Sequence, residues 1–264
     1  MGTSDNVMIV VTHPTHPLTE DEYNEWYSYN HLPYVLFSED FPSASRFKQT
    51  KVLKGKMTPY VAFYQADWAD SWAAQTAYAN VGQQGIGQEW NLSPGSSLTV
   101  DSWAYYEKLA EVGNPSPDVD PPNAILVTFS EPDGGMGNVG IFLAGAVEAW
   151  SKNFLEDMNN CPLVRGSTLY RLGLRAGGEN AYRYMTIHEL NTPKGESGDQ
   201  IHEGIMDWMK SADLSADPAM VIEPSGPVGL EYWAYYDRIV TQIKASEEDL
   251  LEQRGDGVYR GGID

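Results

Sequence analysis

Cysteine, basic residues and long apolar runs are all scarce in this chain, and each shortage excludes something. With a single cysteine, Cys161, no intramolecular disulfide can form, and no second Cys or nearby His completes a metal-binding spacing. Cys161 therefore reads as a packing residue. Lys and Arg number 17 against 37 Asp and Glu, which leaves a formal charge of -20. A protein whose main partner is a phosphate backbone or an anionic bilayer needs the opposite balance. No stretch approaches the roughly 18 uninterrupted apolar residues of a membrane span, and no basic region joins an apolar run at the N-terminus as in a secretory signal. The expectation is a soluble, cytoplasmic protein. Also missing are G-x-x-x-x-G-K-[ST], G-x-S-x-G and C-x-x-C. The glycine-rich stretches Gly82 to Gly87 and Gly134 to Gly140 lack the residues of a phosphate or dinucleotide cradle and read as loops.

What is present is a repeat. Trp103-Ala104-Tyr105-Tyr106-Glu107-Lys108-Leu109 is matched by Trp233-Ala234-Tyr235-Tyr236-Asp237-Arg238-Ile239, and Asn6 to Val11 by Asn123 to Thr128. Between them Trp26 aligns with Trp150, Phe41-Pro42 with Cys161-Pro162, and Pro59 to Asp67 with Ala181 to Glu189. The matches keep chain order at similar offsets, so two copies of one unit with loop insertions account for them. The stretch Gly113 to Pro122, rich in prolines that resist helix and central strand, reads as the joint. The division expected is a first repeat over 1–113, a linker over 114–122, a second repeat over 123–242 and a C-terminal tail over 243–264.

Within the first copy, Val7 to Thr12 is a β-branched run and hence a strand. Thr19-Glu20-Asp21-Glu22 is a capping box that starts a helix, and Pro33 is expected to end it. Strands about Ser45 to Leu53 and Tyr60 to Ala66, a helix near Ser71 to Ala79 and a strand over Ser102 to Leu109 complete a β-α-β-β-α-β order. The second copy repeats it: a strand from Ala124, a helix from about Ala144 to Asp157, strands near Ser167 to Leu174 and Tyr182 to Glu189, a helix from Gln200 to Lys210, and a strand at Tyr232 to Tyr236. This is an α+β chain of two ferredoxin-like repeats, and two open sheets with helices on one face can cover each other.

The residues that carry chemistry concentrate on the first helix. Tyr23, Trp26, Tyr27, Asn30 and His31 share one helical face, which is aromatic and ends in a titratable ring. A histidine titrates near neutrality, so His31 can act as acid or base, and Tyr27, one turn earlier, can orient it or donate to a developing oxyanion. A core stripe with a hydrogen-bonded histidine at its end is the competing reading.

The pattern Trp26-Tyr27-x-x-x-His31-x-Pro33, followed by Phe41-Pro42 and Arg46-Phe47, resembles the EthD-like branch of the dimeric α+β barrel superfamily. The resemblance implies two β-α-β-β-α-β units packed sheet to sheet as a barrel, here within one chain, with a small-molecule site between sheet and helices. It implies cyclase, isomerase, dehydratase or lyase chemistry on aromatic or polyketide-like compounds, often without a cofactor. On that expectation His31 and Tyr27 are catalytic, and Trp26, Arg46, Tyr64, Trp103 and Tyr105 contact the substrate, with Arg46 holding a carboxylate or phenolate. The sequence departs from the pattern in its second copy, where Leu155 stands at the place of His31 by the Trp26 and Trp150 alignment.

The other histidines are weaker candidates. His13 and His16 form a loop His-x-x-His with no neighbouring carboxylate in sequence, so no metal is expected and His13 is kept as a pocket residue. His188, beside Glu189 at a strand end, is a further substrate-contacting candidate. His202 on a helix leaves haem as an alternative cofactor, since some two-copy relatives of this barrel bind haem through a helix histidine. A non-catalytic small-molecule-binding protein is the remaining alternative. Monomer and homodimer both stay open.

Overall fold

A computed structural model describes residues 6–36, 40–54, 59–66, 68–83, 97–114, 122–132, 152–178, 182–192, 198–211 and 228–243. In chain order the strands are β1 (Asn6–Pro14), β2 (Ser43–Lys54), β3 (Tyr60–Ala66), β4 (Leu98–Gly113), β5 (Ala124–Pro132), β6 (Val164–Gly178), β7 (Tyr184–Leu190) and β8 (Val228–Ile243). The helices are α1 (Glu20–Trp26), α2 (Leu32–Leu36), α3 (Ser71–Gln83), α4 (152–159) and α5 (Gly198–Ser211), with a π-helical turn, Tyr27–His31, joining α1 to α2. Among the described residues no helix is long and apolar enough to cross a membrane. The linker residues 115–121, the glycine-rich stretch 134–140, Trp150 and the tail beyond 243 lie outside the described residues.

The eight strands close into a barrel in the order β1-β3-β2-β8-β5-β7-β6-β4, with every neighbouring pair antiparallel. Each half has the lateral order expected of a ferredoxin-like unit, β4-β1-β3-β2 and β6-β7-β5-β8, and the halves meet along β2 with β8 and β4 with β6. These two seams explain why β4, β6 and β8 outrun their predicted lengths. Their ends have no partner within their own half, so only the opposite half's long strand satisfies their backbone groups.

Alternation sorts the side chains. Val7, Ile9 and Val11 of β1 point into the barrel with Phe47, Phe63, Tyr106, Phe129, Met185 and Tyr236, and fill it as an apolar core. Met8 and Val10 point outward and pack with Tyr23, Trp26, Tyr27, Tyr60 and Tyr64 beneath α1, α2 and α3. A matching outer layer in the second half joins Leu126, Met158, Ile201, Ile205 and Tyr235. The described inward-facing side chains are mostly apolar, with Gln49, Ser102 and Thr168 also turned inward by register, and the aromatic helix face that carries His31 packs in the outer layer instead.

The capping box forms as expected: Thr19 Oγ1 accepts from the Glu22 backbone N–H, and the Glu22 carboxylate accepts from the Thr19 backbone at 3.0 Å. Thr19→Ala should cost about 1 kcal/mol of stability, measurable as a lowered urea midpoint. Other boundaries move. Pro33 does not stop the chain from being helical, because it sits at the second residue of α2, where its missing N–H is not needed once the π turn has already shifted the ladder. Gly82 belongs to α3 rather than to a loop, and of the helix predicted from Ala144 the described part is 152–159.

Candidate active site

The π turn decides which side chains face the sheet. It inserts an extra residue between two α-helical segments, and the Leu32 N–H bonds back to the Tyr27 carbonyl. The face predicted for a regular helix therefore rotates partway along: Tyr23, Trp26, Tyr27 and His31 are buried, but Ser28 replaces Asn30, which is exposed. Trp26 and His31, five apart, become neighbours, and their rings stack at 5.3 Å with 20° between planes. The Tyr27 ring meets the His31 ring edge-on at 4.7 Å. His31 is 4% exposed and so is held on two sides by aromatic rings.

From the sheet, Arg46 of β2 rises into the same layer. It lies opposite Ala62 of β3, and Tyr60 and Tyr64 flank Ala62 on the same strand face, so their side chains are its diagonal neighbours. Its guanidinium carbon stands 4.4 Å from the Tyr23 ring, 4.4 Å from the Tyr27 ring and 4.8 Å from the Tyr60 ring. Arg46 is 0% exposed. Nη1 donates to Ser28 Oγ at 3.4 Å, whereas Nε and Nη2 are buried with no hydrogen-bond partner. Among the described residues no carboxylate forms an ion pair with it. Each ring face contributes on the order of 1 kcal/mol, against a desolvation cost of roughly several kcal/mol for a buried cation.

The hydroxyl groups form short links around this charge. Tyr27 and Tyr64 hydroxyls lie 3.0 Å apart, and the Tyr23 hydroxyl is 2.6 Å from Thr12 Oγ1. The Tyr60 hydroxyl donates to Glu20, which also pairs with Lys48 at 2.5 Å. Burial pushes the Tyr64 phenol well above its ordinary pKa, and the neighbouring Tyr27 adds to the effect. Burial also raises Tyr23, with the Arg46 charge pulling partly back, and raises Tyr60, helped by its bond to Glu20. Glu20 is lowered, first by Lys48 and then by Tyr60. The phenols thus stay protonated at neutral pH, as hydrogen-bond donors rather than anions.

The structure brings together five of the predicted residues: His31, Tyr27, Trp26, Arg46 and Tyr64. Tyr105 and the half-buried Trp103 share the layer but are spent on packing. The Tyr105 hydroxyl donates to the Trp68 carbonyl at 3.0 Å and accepts from Asn6, and the Trp103 indole N–H points at Met8 Sδ. His13 lies at the end of β1, its Nδ1 2.7 Å from Asp101 Oδ2. The carboxylate missing from its sequence neighbourhood is supplied by β4, a long-range partner that local spacing does not show. His188 belongs to the other half. It is 0% exposed, 2.8 Å from Ser167 Oγ through Nδ1, and edge-on to Phe154 at 5.7 Å. His202 sits over Tyr235 at 5.1 Å in a layer filled by Ile201, Ile205, Met206, Met209 and Met158, each under a tenth exposed.

Tyr23, Tyr60, Ser28 and Thr12 are not among the predicted site residues. Tyr23 is visible in the sequence on the aromatic face, whereas Tyr60 comes diagonal to Arg46 only through the observed register of β2 and β3, in which Lys48 lies opposite Tyr60 and Arg46 opposite Ala62. Ser28 cannot be found without the π turn.

No family profile and no curated protein matches this chain by sequence. Solved structures are similar in fold. An anthrone oxidase-like protein superposes with a TM-score of 0.51 at 12% identity, covering 92% of this chain and 95% of its own. The chain is an α+β barrel. Also similar to it is a dye-decolorizing peroxidase from Bacteroides thetaiotaomicron VPI-5482 (TM-score 0.49, 9% identity, 97% and 96% covered). A mutant chlorite dismutase from Candidatus Nitrospira defluvii, in complex with cyanide, is similar as well (TM-score 0.48, 10% identity, 96% and 95% covered). At these identities the likeness is one of architecture.

Proposed function

We propose that this α+β barrel is an EthD-like enzyme, a lyase or isomerase that works without a cofactor on a small aromatic or polyketide-like compound. The observation that carries the reading is the meeting of His31 and Arg46 on either side of Tyr27 in one buried, hydroxyl-lined layer. His31 removes a proton from carbon next to a carbonyl, and the electron pair moves onto the carbonyl oxygen. Tyr27 donates to that oxygen while Tyr64, behind it, donates to Tyr27 and keeps its hydrogen free for the substrate. Return of the proton to a different carbon completes an isomerisation. Loss of a β-hydroxyl as water, protonated by His31, completes a dehydration. Trp26 and Tyr23 provide ring surface for a planar substrate, and Arg46 provides its fixed charge.

Support for a cofactor-free reaction comes from the distribution of polar groups. Among the described residues the phenols that surround a buried charge lie in the first half, whereas the layer around His202, where haem would be held, is occupied mainly by close-packed aliphatic and Met side chains that a porphyrin would have to displace. The test is a screen of phenolic and polyketide-like ketones in deuterated water. The expected outcome is deuterium in the product, no oxygen uptake and no Soret band in the active protein. An absolute requirement for dioxygen would replace the reading by an oxidase sharing the same proton abstraction, and a Soret band that tracks activity would replace it by a haem enzyme.

A further inference from the structure

The unpaired edge of Arg46 identifies what the site recognises. Building on the site assignment above, we infer that the ligand is an aromatic carboxylate, held by a two-point hydrogen bond from Arg46 Nε and Nη2. Three observations carry this. The two nitrogens without partners, Nε and Nη2, are those that share one edge of the guanidinium plane, while the third, Nη1, is directed at Ser28. That edge is a rigid pair of parallel N–H donors whose spacing matches the two oxygens of a carboxylate, whereas a phenolate or a ketone engages only one of them.

The second observation is the charge balance. Arg46 is completely buried without an ion-paired carboxylate among the described residues, a condition that native proteins otherwise relieve by pairing. The second half shows how the same register looks when the arginine is structural. Arg171 lies opposite Tyr184, the residue that aligns with Ala62, and it is half exposed with Nη2 2.9 Å from the Glu107 carboxylate. The first half keeps the arginine and buries it but omits the acid.

The third observation is the wall. The three tyrosine rings that enclose the guanidinium, with Trp26 beside His31, make an aromatic surface around the fork, so a planar ring attached to the carboxylate is the complementary shape. The chain's net charge of -20 disfavours anions in general, and Arg46 supplies the local exception.

The test is thermal unfolding of the full chain at pH 7 with benzoate and with its neutral isostere benzamide. Benzoate at ten times its Kd should raise the melting temperature by about 3 °C, and benzamide should not. Arg46→Met, which removes an unpaired buried charge, should melt above the wild type without ligand and show no benzoate shift. Arg46→Lys keeps the charge but loses the fork, and should weaken benzoate binding about tenfold or more. His31→Leu should retain the benzoate shift, so failure of the proton-transfer reading and failure of carboxylate recognition are separable. Equal shifts with benzoate and benzamide, no shift with either, or a benzoate shift that persists in Arg46→Met would each overturn the inference.

Discussion

Replacing His31 by leucine is expected to lower kcat/KM by about 10²- to 10⁴-fold while the protein still folds, the range typical for loss of a positioned acid/base group. Leucine is chosen because the fold already accepts it at the matching place. Leu155 of α4, which aligns with His31 in the repeat, is 0% exposed and packs against Leu169 and Tyr184. The helix can therefore seat an aliphatic side chain against its sheet, and a drop in turnover with unchanged circular dichroism reports chemistry rather than collapse. The position supports a chemical role, since the ring stacks on Trp26 and touches Tyr27, which contacts Arg46 in turn. Full activity in the folded leucine variant would remove His31 from the reaction.

Acidification is expected to destabilise the protein through His188. Burial lowers its pKa from the usual 6.5 to about 3, because the imidazolium loses its water and no charged partner among the described residues compensates. The unfolded chain binds a proton at this residue below pH 6.5, and the folded chain does not until about pH 3. Stability from this group is thus complete above 6.5 and falls as pH drops towards 3, with a loss of about 2 kcal/mol by pH 5 at 1.36 kcal/mol per unit. Urea unfolding at pH 7 and pH 5 measures it against His188→Gln, which keeps a polar group for Ser167 but does not titrate. If wild type and variant lose equal stability between the two pH values, His188 is not held neutral by burial.

Much of this architecture was legible because it is written in local signals. The capping box at Thr19, the β-branched run of β1 and the alignment of Trp103 with Trp233 were enough to reach two β-α-β-β-α-β units. The candidate site was legible only in part. His31, Tyr27, Trp26 and Arg46 could be named from a helix face and a motif, but their grouping depends on a π turn that substitutes Ser28 for Asn30. His13 and Asp101, and His188 and Ser167, are pairs made by strand register between distant segments, so nothing in their neighbourhoods announces them. Tyr105 and Trp103 share the layer's aromatic composition yet are committed to a backbone carbonyl and a thioether, a difference that residue type does not encode.

The seam between β2 and β8 has a consequence for how the protein comes into being. Ser43 pairs with Ile243, so the barrel cannot close until the chain through residue 243 is available, and the contact joins residues far apart in sequence. During synthesis the first half emerges with the long edges of β2 and β4 both unpaired. Closure awaits β8, which gives slow folding of high contact order through an intermediate whose open strand edges are exposed to association.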